Sequence, residues 1–133
     1  MIPFRLTFEP GTPVHEQATF AAKKAMMSGQ LRPGDSFPSV RALSKALKIN
    51  PNTAHKVITQ LTVEGLLEVR PGIGTVVARR PVSSRIDRRR LLGREVEQLT
   101  VEAKKLGLSL EEVQTSVAEH WKNLDYKEAK EEA

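Results

Sequence analysis

The chain contains no cysteine among its 133 residues, and only 5% of its residues are aromatic. The missing cysteine excludes disulfide bonds and thiolate metal sites, and it is compatible with a reducing compartment. Because aromatic residues are scarce, a core must be built mainly from Leu, Val, Ile and Ala. Hydrophobic residues make up 39% and charged residues 28% of the chain, which predicts one modest core rather than a disordered chain.

Long hydrophobic runs are also missing. No segment approaches the roughly 20 apolar residues that a membrane helix needs. The first ten residues carry charges and lack the apolar stretch of a signal peptide. We therefore expect a cytoplasmic protein without a membrane partner.

Signatures of catalysis are absent from the sequence. The three histidines, His15, His55 and His120, fall in different predicted elements, without a carboxylate or thiol at ligand or triad spacing. Neither a Gly-rich phosphate loop nor a G-x-S-x-G motif occurs. These observations predict a protein that is not an enzyme and needs no metal or cofactor.

Positive charge is concentrated in the first part of the chain. Residues 1–83 hold 11 Lys or Arg against 5 Asp or Glu, whereas residues 84–133 hold 10 against 11. This asymmetry suggests a part that faces a polyanion and a neutral part with another role. Charge alone does not decide the matter, because an excess of six is common in domains of this size.

The residue pattern predicts a fold that is mainly α-helical, with a small β-hairpin. Caps and turn residues define most boundaries. Thr12 and Asn50 are predicted N-caps, with Pro13 and Pro51 after them; Gly29, Gly65 and Gly107 are predicted stops; and Ser109-Leu110-Glu111-Glu112 is a predicted capping box. The predicted elements are a short strand through Phe4, Leu6 and Phe8, helices over about 13–28, 39–47 and 51–65, strands over 66–70 and 75–78, and helices from about 85 to 106 and from Ser109 onward.

The second and third helices have the layout of a helix-turn-helix, followed by a wing. A recognition helix needs small polar side chains and free N–H groups in its first turn, because these contact phosphates and base edges. Asn52, Thr53, His55 and Lys56 fit this need. In the wing, Gly72 and Gly74 either let backbone approach a groove or only satisfy turn geometry.

Residues 13–78 resemble the DNA-binding domain of GntR-type bacterial regulators. The resemblance rests on Pro13, Gly29-x-Leu31-x-Pro33-Gly34-Asp35-x-Phe37-Pro38-Ser39-Val40-Arg41-x-Leu43, Asn52-Thr53, Glu64-Gly65-Leu66 and Gly72-x-Gly74-Thr75. The segment Asn50-Pro51-Asn52-Thr53 and the short remainder of the chain resemble the YtrA-like subgroup, in which two helices follow the DNA-binding domain.

This resemblance implies a sequence-specific transcription regulator, a repressor, that binds double-stranded operator DNA; it leaves open an unidentified small-molecule effector. It implies that Ser39 and Arg41 contact the DNA backbone, that Asn52, Thr53, His55 and Lys56 meet the major groove or its phosphates, and that Gly72 approaches the minor groove. The chain departs from the family at Pro51 and Ile73, where many members carry an arginine and a basic residue.

The predicted organisation is a winged helix-turn-helix domain in residues 1–80, a linker at 81–84 and a two-helix dimerisation region at 85–133. The apolar stripes of the two helices need a partner, either the first domain or, as we favour, a second copy of the chain. A symmetric homodimer would present two recognition helices to a palindromic operator. The predicted interface residues are Leu92, Val96, Leu99, Leu106, Val113, Val117 and Trp121.

Two alternatives stay open at this stage. Seven arginines between Arg79 and Arg94 form either a solvated joint or an additional phosphate contact. A winged-helix module that binds protein or RNA, without specific DNA binding, is the competing function. An acidic recognition helix would have favoured a protein partner, whereas the third helix carries His55 and Lys56.

Overall fold

In the computed structural model, the described residues are Phe4, 6–79 and 84–132, with side chains described as far as Leu124. They form two compact units that divide along the chain near residue 80. The elements of the first unit are α1 (Val14–Met27), α2 (Val40–Leu47), α3 (Pro51–Val63), β1 (Leu67–Arg70) and β2 (Gly74–Val77). The predicted combination of helices and one hairpin is confirmed, and the third helix ends two residues earlier than expected.

The short second and third helices begin at side-chain caps. The Ser39 hydroxyl oxygen accepts a hydrogen bond from the Ala42 N–H at 3.1 Å, and α2 follows it. The Asn50 side-chain oxygen accepts from the Asn52 N–H at 2.8 Å, and Pro51 is the first residue of α3. Each cap satisfies a backbone donor that the helix itself leaves without a partner.

The start of α1 differs from the prediction, because Thr12 does not cap it. Among the described residues, no side chain caps this helix. The Gln17 side chain instead donates to the carbonyl oxygens of Glu9 and Thr12, and it accepts from the Glu9 N–H. The predicted strand through Phe4 and Phe8 is also wrong, since residues 6–9 have no regular secondary structure. The alternating pattern reflects burial of single side chains: Phe4 stacks on Phe37 in the core.

The core of the first unit lies around α3, which packs against α1, α2 and β1. Its inward face carries Ala54, Val57 and Leu61, all fully buried. The spacing of these residues places them on one side of a helix, so the opposite side is left for solvent or a ligand. The other buried apolar residues of this cluster are Phe4, Ala18, Ala22, Ala25, Met26, Leu31, Phe37, Leu43, Leu67 and Val77.

The hairpin is antiparallel, with Leu67 opposite Val77 and Arg70 opposite Gly74. The segment before α2 pairs with the outer edge of β2. The Phe37 N–H donates to the Thr75 carbonyl at 2.9 Å, and the Val77 N–H donates to the Asp35 carbonyl at 2.8 Å. This pairing anchors the base of the hairpin to the helices and leaves its tip projecting.

The second unit contains α4 (Arg85–Arg89), a π-helical stretch (Arg90–Glu95), α5 (Val96–Lys105) and α6 (Leu110–Glu132) as far as residue 126. The predicted capping box at the start of α6 is confirmed: the Glu112 N–H donates to the Ser109 hydroxyl at 3.1 Å, and the Ser109 N–H donates to the Glu112 carboxylate at 2.9 Å. Within the described parts of both units, no helix has the length and apolar character to cross a membrane.

Candidate nucleic-acid interface

The outward face of α3 is polar along its first two turns. Asn52, His55, Lys56 and Thr59 are exposed, and Thr53 is half-buried. Four of these five were predicted from the sequence; Thr59 was missed. Its position four residues after His55, on the same face of the helix, is the signal that could have found it.

Most backbone donors in the first turn of α3 are already engaged. The Asn50 cap occupies the Asn52 N–H, and Pro51 has no N–H to offer. The Ala54 N–H donates to the Asn50 carbonyl at 3.0 Å. Two N–H groups of the first turn are therefore engaged within the chain, so recognition by α3 relies mainly on its side chains.

His55 and Thr59 lie one turn apart, with 3.4 Å between the His55 Nδ1 and the Thr59 Oγ1. This contact orients the imidazole along the outward face and leaves Nε2 for a ligand. Thr59 thereby influences whether His55 Nε2 donates to a base edge or accepts from it. The hydrogen bond that one ring nitrogen makes sets the tautomer of the imidazole.

A group of exposed cations precedes α3. Arg41 is in the first turn of α2, Lys45 lies one turn later on the same side, and Lys48 lies in the turn that leads to α3. Within the described part of the chain, none of these three makes a salt bridge. Lys45 and Lys48 were not singled out from the sequence, although the positive charge of the first 83 residues pointed to such a group.

Lys48 has an unusual backbone conformation. Its φ is +56°, and among the described residues other than glycine it alone has a positive φ. The turn is held by the Ile49 N–H, which donates to the Ser44 carbonyl at 3.0 Å, and by the Ser44 hydroxyl, which donates to the Ile49 carbonyl at 2.6 Å. A lysine here projects its charge from the corner between the two helices, where glycine would be the easier residue.

The wing tip is a narrow turn. The Ile73 N–H donates to the Arg70 carbonyl at 3.0 Å, and Gly72 has a φ of +78°. A Cβ atom added at Gly72 would meet nothing within 4 Å, so its conformation rather than crowding within the chain requires glycine. Arg70, which the sequence interpretation did not single out, is the basic residue next to this tip.

An acidic residue near the far end of α3 is neutralised within the unit. Glu64 forms a salt bridge with Lys23 of α1 and accepts a hydrogen bond from Gln60 at 3.0 Å. Partial burial acts to raise the pKa of Glu64, but the hydrogen bonds from Lys23 and Gln60 and the charge of Lys23 outweigh it and lower that pKa. The first two turns of α3 carry no acidic residue, so no negative charge there would repel a polyanion.

The predicted contact residues of the second unit are largely exposed within one chain. Leu92, Leu106 and Trp121 each expose about 70% of their surface, whereas Val113 is half-buried. The predicted arginine cluster is exposed at each of its described positions, but Arg80 lies outside the described residues. No group of metal-ligating side chains occurs among the residues that the structure describes.

A three-helix core, a tight turn between the last two helices and an anchored hairpin define a winged helix-turn-helix protein of the DNA-binding class. Residues 8–77 match the bacterial regulatory proteins of the gntR family. The chain is 30% identical to the HTH-type transcriptional repressor YtrA of Bacillus subtilis over 109 residues, which cover 81% of this chain and 84% of that protein. The chain therefore belongs to the GntR family, as a YtrA-like transcriptional regulator and not an enzyme.

Solved structures show the same fold. A transcriptional antiterminator from Listeria monocytogenes superposes with a TM-score of 0.82 at 22% identity and covers 91% of each chain. YtrA from Sulfolobus acidocaldarius, a GntR-family transcription factor, superposes with a TM-score of 0.52 at 24% identity, over 90% of this chain and 97% of that chain. Both likenesses extend beyond the winged helix-turn-helix domain.

Proposed function

We propose that this protein is a repressor that binds a palindromic operator as a homodimer in the cytoplasm. In this proposal α3 enters the major groove, the first turn of α2 positions the domain on the DNA backbone, and the wing reaches the adjacent minor groove. The observation that carries the proposal is the outward face of α3, which joins Asn52, His55 and Lys56 and has no acidic residue in its first two turns.

The proposed contact side chains fall into two groups, those that suit base edges and those that suit phosphates. The amide of Asn52 and the imidazole of His55 can donate to and accept from base edges, which carry sequence information in the major groove. Lys56 and Arg41 carry positive charges that suit phosphates. The Ser39 oxygen serves as the cap of α2, but its hydroxyl hydrogen can still be donated to a phosphate oxygen. Thr53 is half-buried, so it offers DNA less of its surface than its exposed neighbours do.

Dimerisation through the second unit is supported by its exposed apolar residues. Val96, Leu99 and Val117 each leave between 42% and 48% of their surface exposed, beside the more exposed Leu92, Leu106 and Trp121. Large apolar patches on an isolated chain mark sites of association. Two copies joined here would suit two half-sites about one helical turn apart, roughly 34 Å, and would double the number of phosphate contacts.

Selection from a pool of random duplexes tests this function. The full-length chain should enrich an inverted repeat, and one duplex should bind two chains. Binding should weaken steeply with salt, since each neutralised phosphate contributes about 0.9 to the slope of log K against log salt. The same pool supplied as single-stranded RNA should yield no enriched sequence.

The matched control is a variant in which Arg41 and Lys56 are both replaced by alanine. Both side chains are exposed, and neither forms a salt bridge within the described part of the chain, so this variant should fold normally and bind all duplexes more weakly. If the wild-type chain enriches no duplex sequence, or enriches RNA instead, the operator-binding proposal is wrong.

A further inference from the structure

The wing of this chain carries little net charge. In the hairpin Leu67–Val77 the charged residues are Glu68 and Arg70, which form a salt bridge with each other. The Glu68 carboxylate accepts from the Arg70 Nε at 3.1 Å and from its Nη2 at 2.8 Å. A wing of this kind does not attract DNA by an excess of positive charge.

The same pairing holds the guanidinium beside the tip. Glu68 and Arg70 are two residues apart in β1, so their side chains lie on one face of the hairpin. Gly74 stands opposite Arg70 and has no side chain to cover it, and the Arg70 side chain leaves 49% of its surface exposed. A guanidinium has five N–H groups, of which Glu68 engages two, so the remaining donors can bind a phosphate.

The tip itself presents an apolar side chain. Ile73 exposes 68% of its surface, and its neighbours Gly72 and Gly74 add no side chains. The turn thus presents Ile73 between two residues without side chains, and isoleucine is among the residues that proteins insert into minor grooves.

We propose that the wing contacts DNA through two residues: Ile73, which packs against the sugar edges of the minor groove, and Arg70, which Glu68 holds in position to bind a phosphate at the groove's rim. This inference rests on the proposed function, since it assumes that α3 has docked in the neighbouring major groove. It assigns readout of groove shape to the wing and leaves readout of bases to α3.

The two contacts have different signatures in a titration against the selected duplex at several salt concentrations. Arg70→Ala should weaken binding to all duplexes alike and should lower the salt slope by about 0.9 for each half-site, because one phosphate contact is lost. Arg70→Lys should keep the slope, since its charge remains. Ile73→Ala should weaken binding about fivefold at every salt concentration with no change of slope, because only apolar contact is lost.

Val69→Ala is the matched control for Ile73→Ala. Val69 is equally exposed on the wing, at 70%, but it follows the alternation of β1 on the face away from Arg70. The Val69→Ala variant should bind like the wild type. Hydroxyl-radical protection of the minor-groove sugars should be lost in Ile73→Ala alone. If Arg70→Ala and Ile73→Ala both bind and protect like the wild type, the wing assignment is overturned. The operator proposal would survive that result, and it fails separately if the wild-type chain enriches no duplex.

Discussion

The side-chain oxygen of Asn50 accepts a hydrogen bond from the backbone N–H of Asn52, at 2.8 Å, immediately before the face of α3 that we assign to DNA. Asn50 thus caps the recognition helix and also lies beside the outward face of that helix. Stability and DNA affinity can be separated at this position. The capping oxygen of residue 50 affects stability, whereas the charge of its side chain affects DNA affinity.

Replacement of Asn50 by alanine should lower the free energy of unfolding by about 1 kcal/mol, since the cap is lost. Asn50→Asp keeps the cap and places a negative charge at the positive end of the helix, so stability should stay within about 0.5 kcal/mol of the wild type. The added charge should weaken duplex binding by about 1 kcal/mol, a several-fold rise in Kd. Urea unfolding and fluorescence anisotropy measure the two effects; equal DNA affinity of Asn50→Asp and wild type would contradict the placement of this end of α3 at DNA.

The left-handed conformation of Lys48 gives a second prediction. Lys48→Gly should raise the free energy of unfolding by up to about 1 kcal/mol, because glycine adopts a φ of +56° without the clash of a Cβ. Lys45→Gly removes the same charge from the interior of α2 and should instead lower it by about 1 kcal/mol. Denaturant midpoints decide the point: a loss of stability in both variants would mean that the turn does not strain Lys48.

The lowered pKa of Glu64 predicts a dependence on pH. A carboxyl group whose pKa falls on folding stabilises the fold above its unfolded value, 4.5, and this contribution disappears as the pH falls through the folded pKa. Lys23→Met should therefore lower the free energy of unfolding at pH 7, by less than about 1 kcal/mol because the pair is partly exposed. The difference from wild type should shrink below pH 4.5, whereas Lys45→Met, which removes an unpaired charge, should show no such trend.

Several of these features were predictable because they depend on residues close in sequence. The caps at Asn50 and Ser109 and the helix stops at Gly65 and Gly107 each involve side chains or dihedral angles within a few residues. The outward face of α3 was predictable for the same reason, since the period of Ala54, Val57 and Leu61 defines its opposite side.

Features that depend on tertiary contacts were missed. The pairing of Asp35 and Phe37 with β2 joins segments far apart in the chain, and no local pattern encodes it. The alternation of Phe4, Leu6 and Phe8 resembled a strand, but Phe4 is buried by stacking on Phe37 rather than by pairing in a sheet. The π-helical stretch Arg90–Glu95 also went unpredicted, because regular spacing of apolar residues does not distinguish it from an α-helix.

The second unit provides its own reporter of dimerisation, because Trp121 is the only tryptophan in the chain. It exposes 71% of its surface in a single chain, so a dimer that covers it should emit at shorter wavelength than a monomer. Dilution should shift the emission to the red, in step with sedimentation. Leu99→Glu should give a monomer at micromolar concentration. Val101 is also exposed but is not a predicted interface residue, so Val101→Glu should stay dimeric. A monomeric wild type would contradict the dimer.

The most direct test compares Arg41→Ala with His55→Ala on the selected operator and on operators with single base changes. Arg41→Ala should weaken binding to all of these duplexes by a similar factor, because a phosphate contact carries no sequence information. His55→Ala should bind the operator more weakly by about 1–3 kcal/mol and should lose discrimination at one base pair in each half-site. If His55→Ala, and Asn52→Ala measured in the same way, keep the discrimination of the wild type at every base pair, then the face of α3 does not read the operator and the account is contradicted.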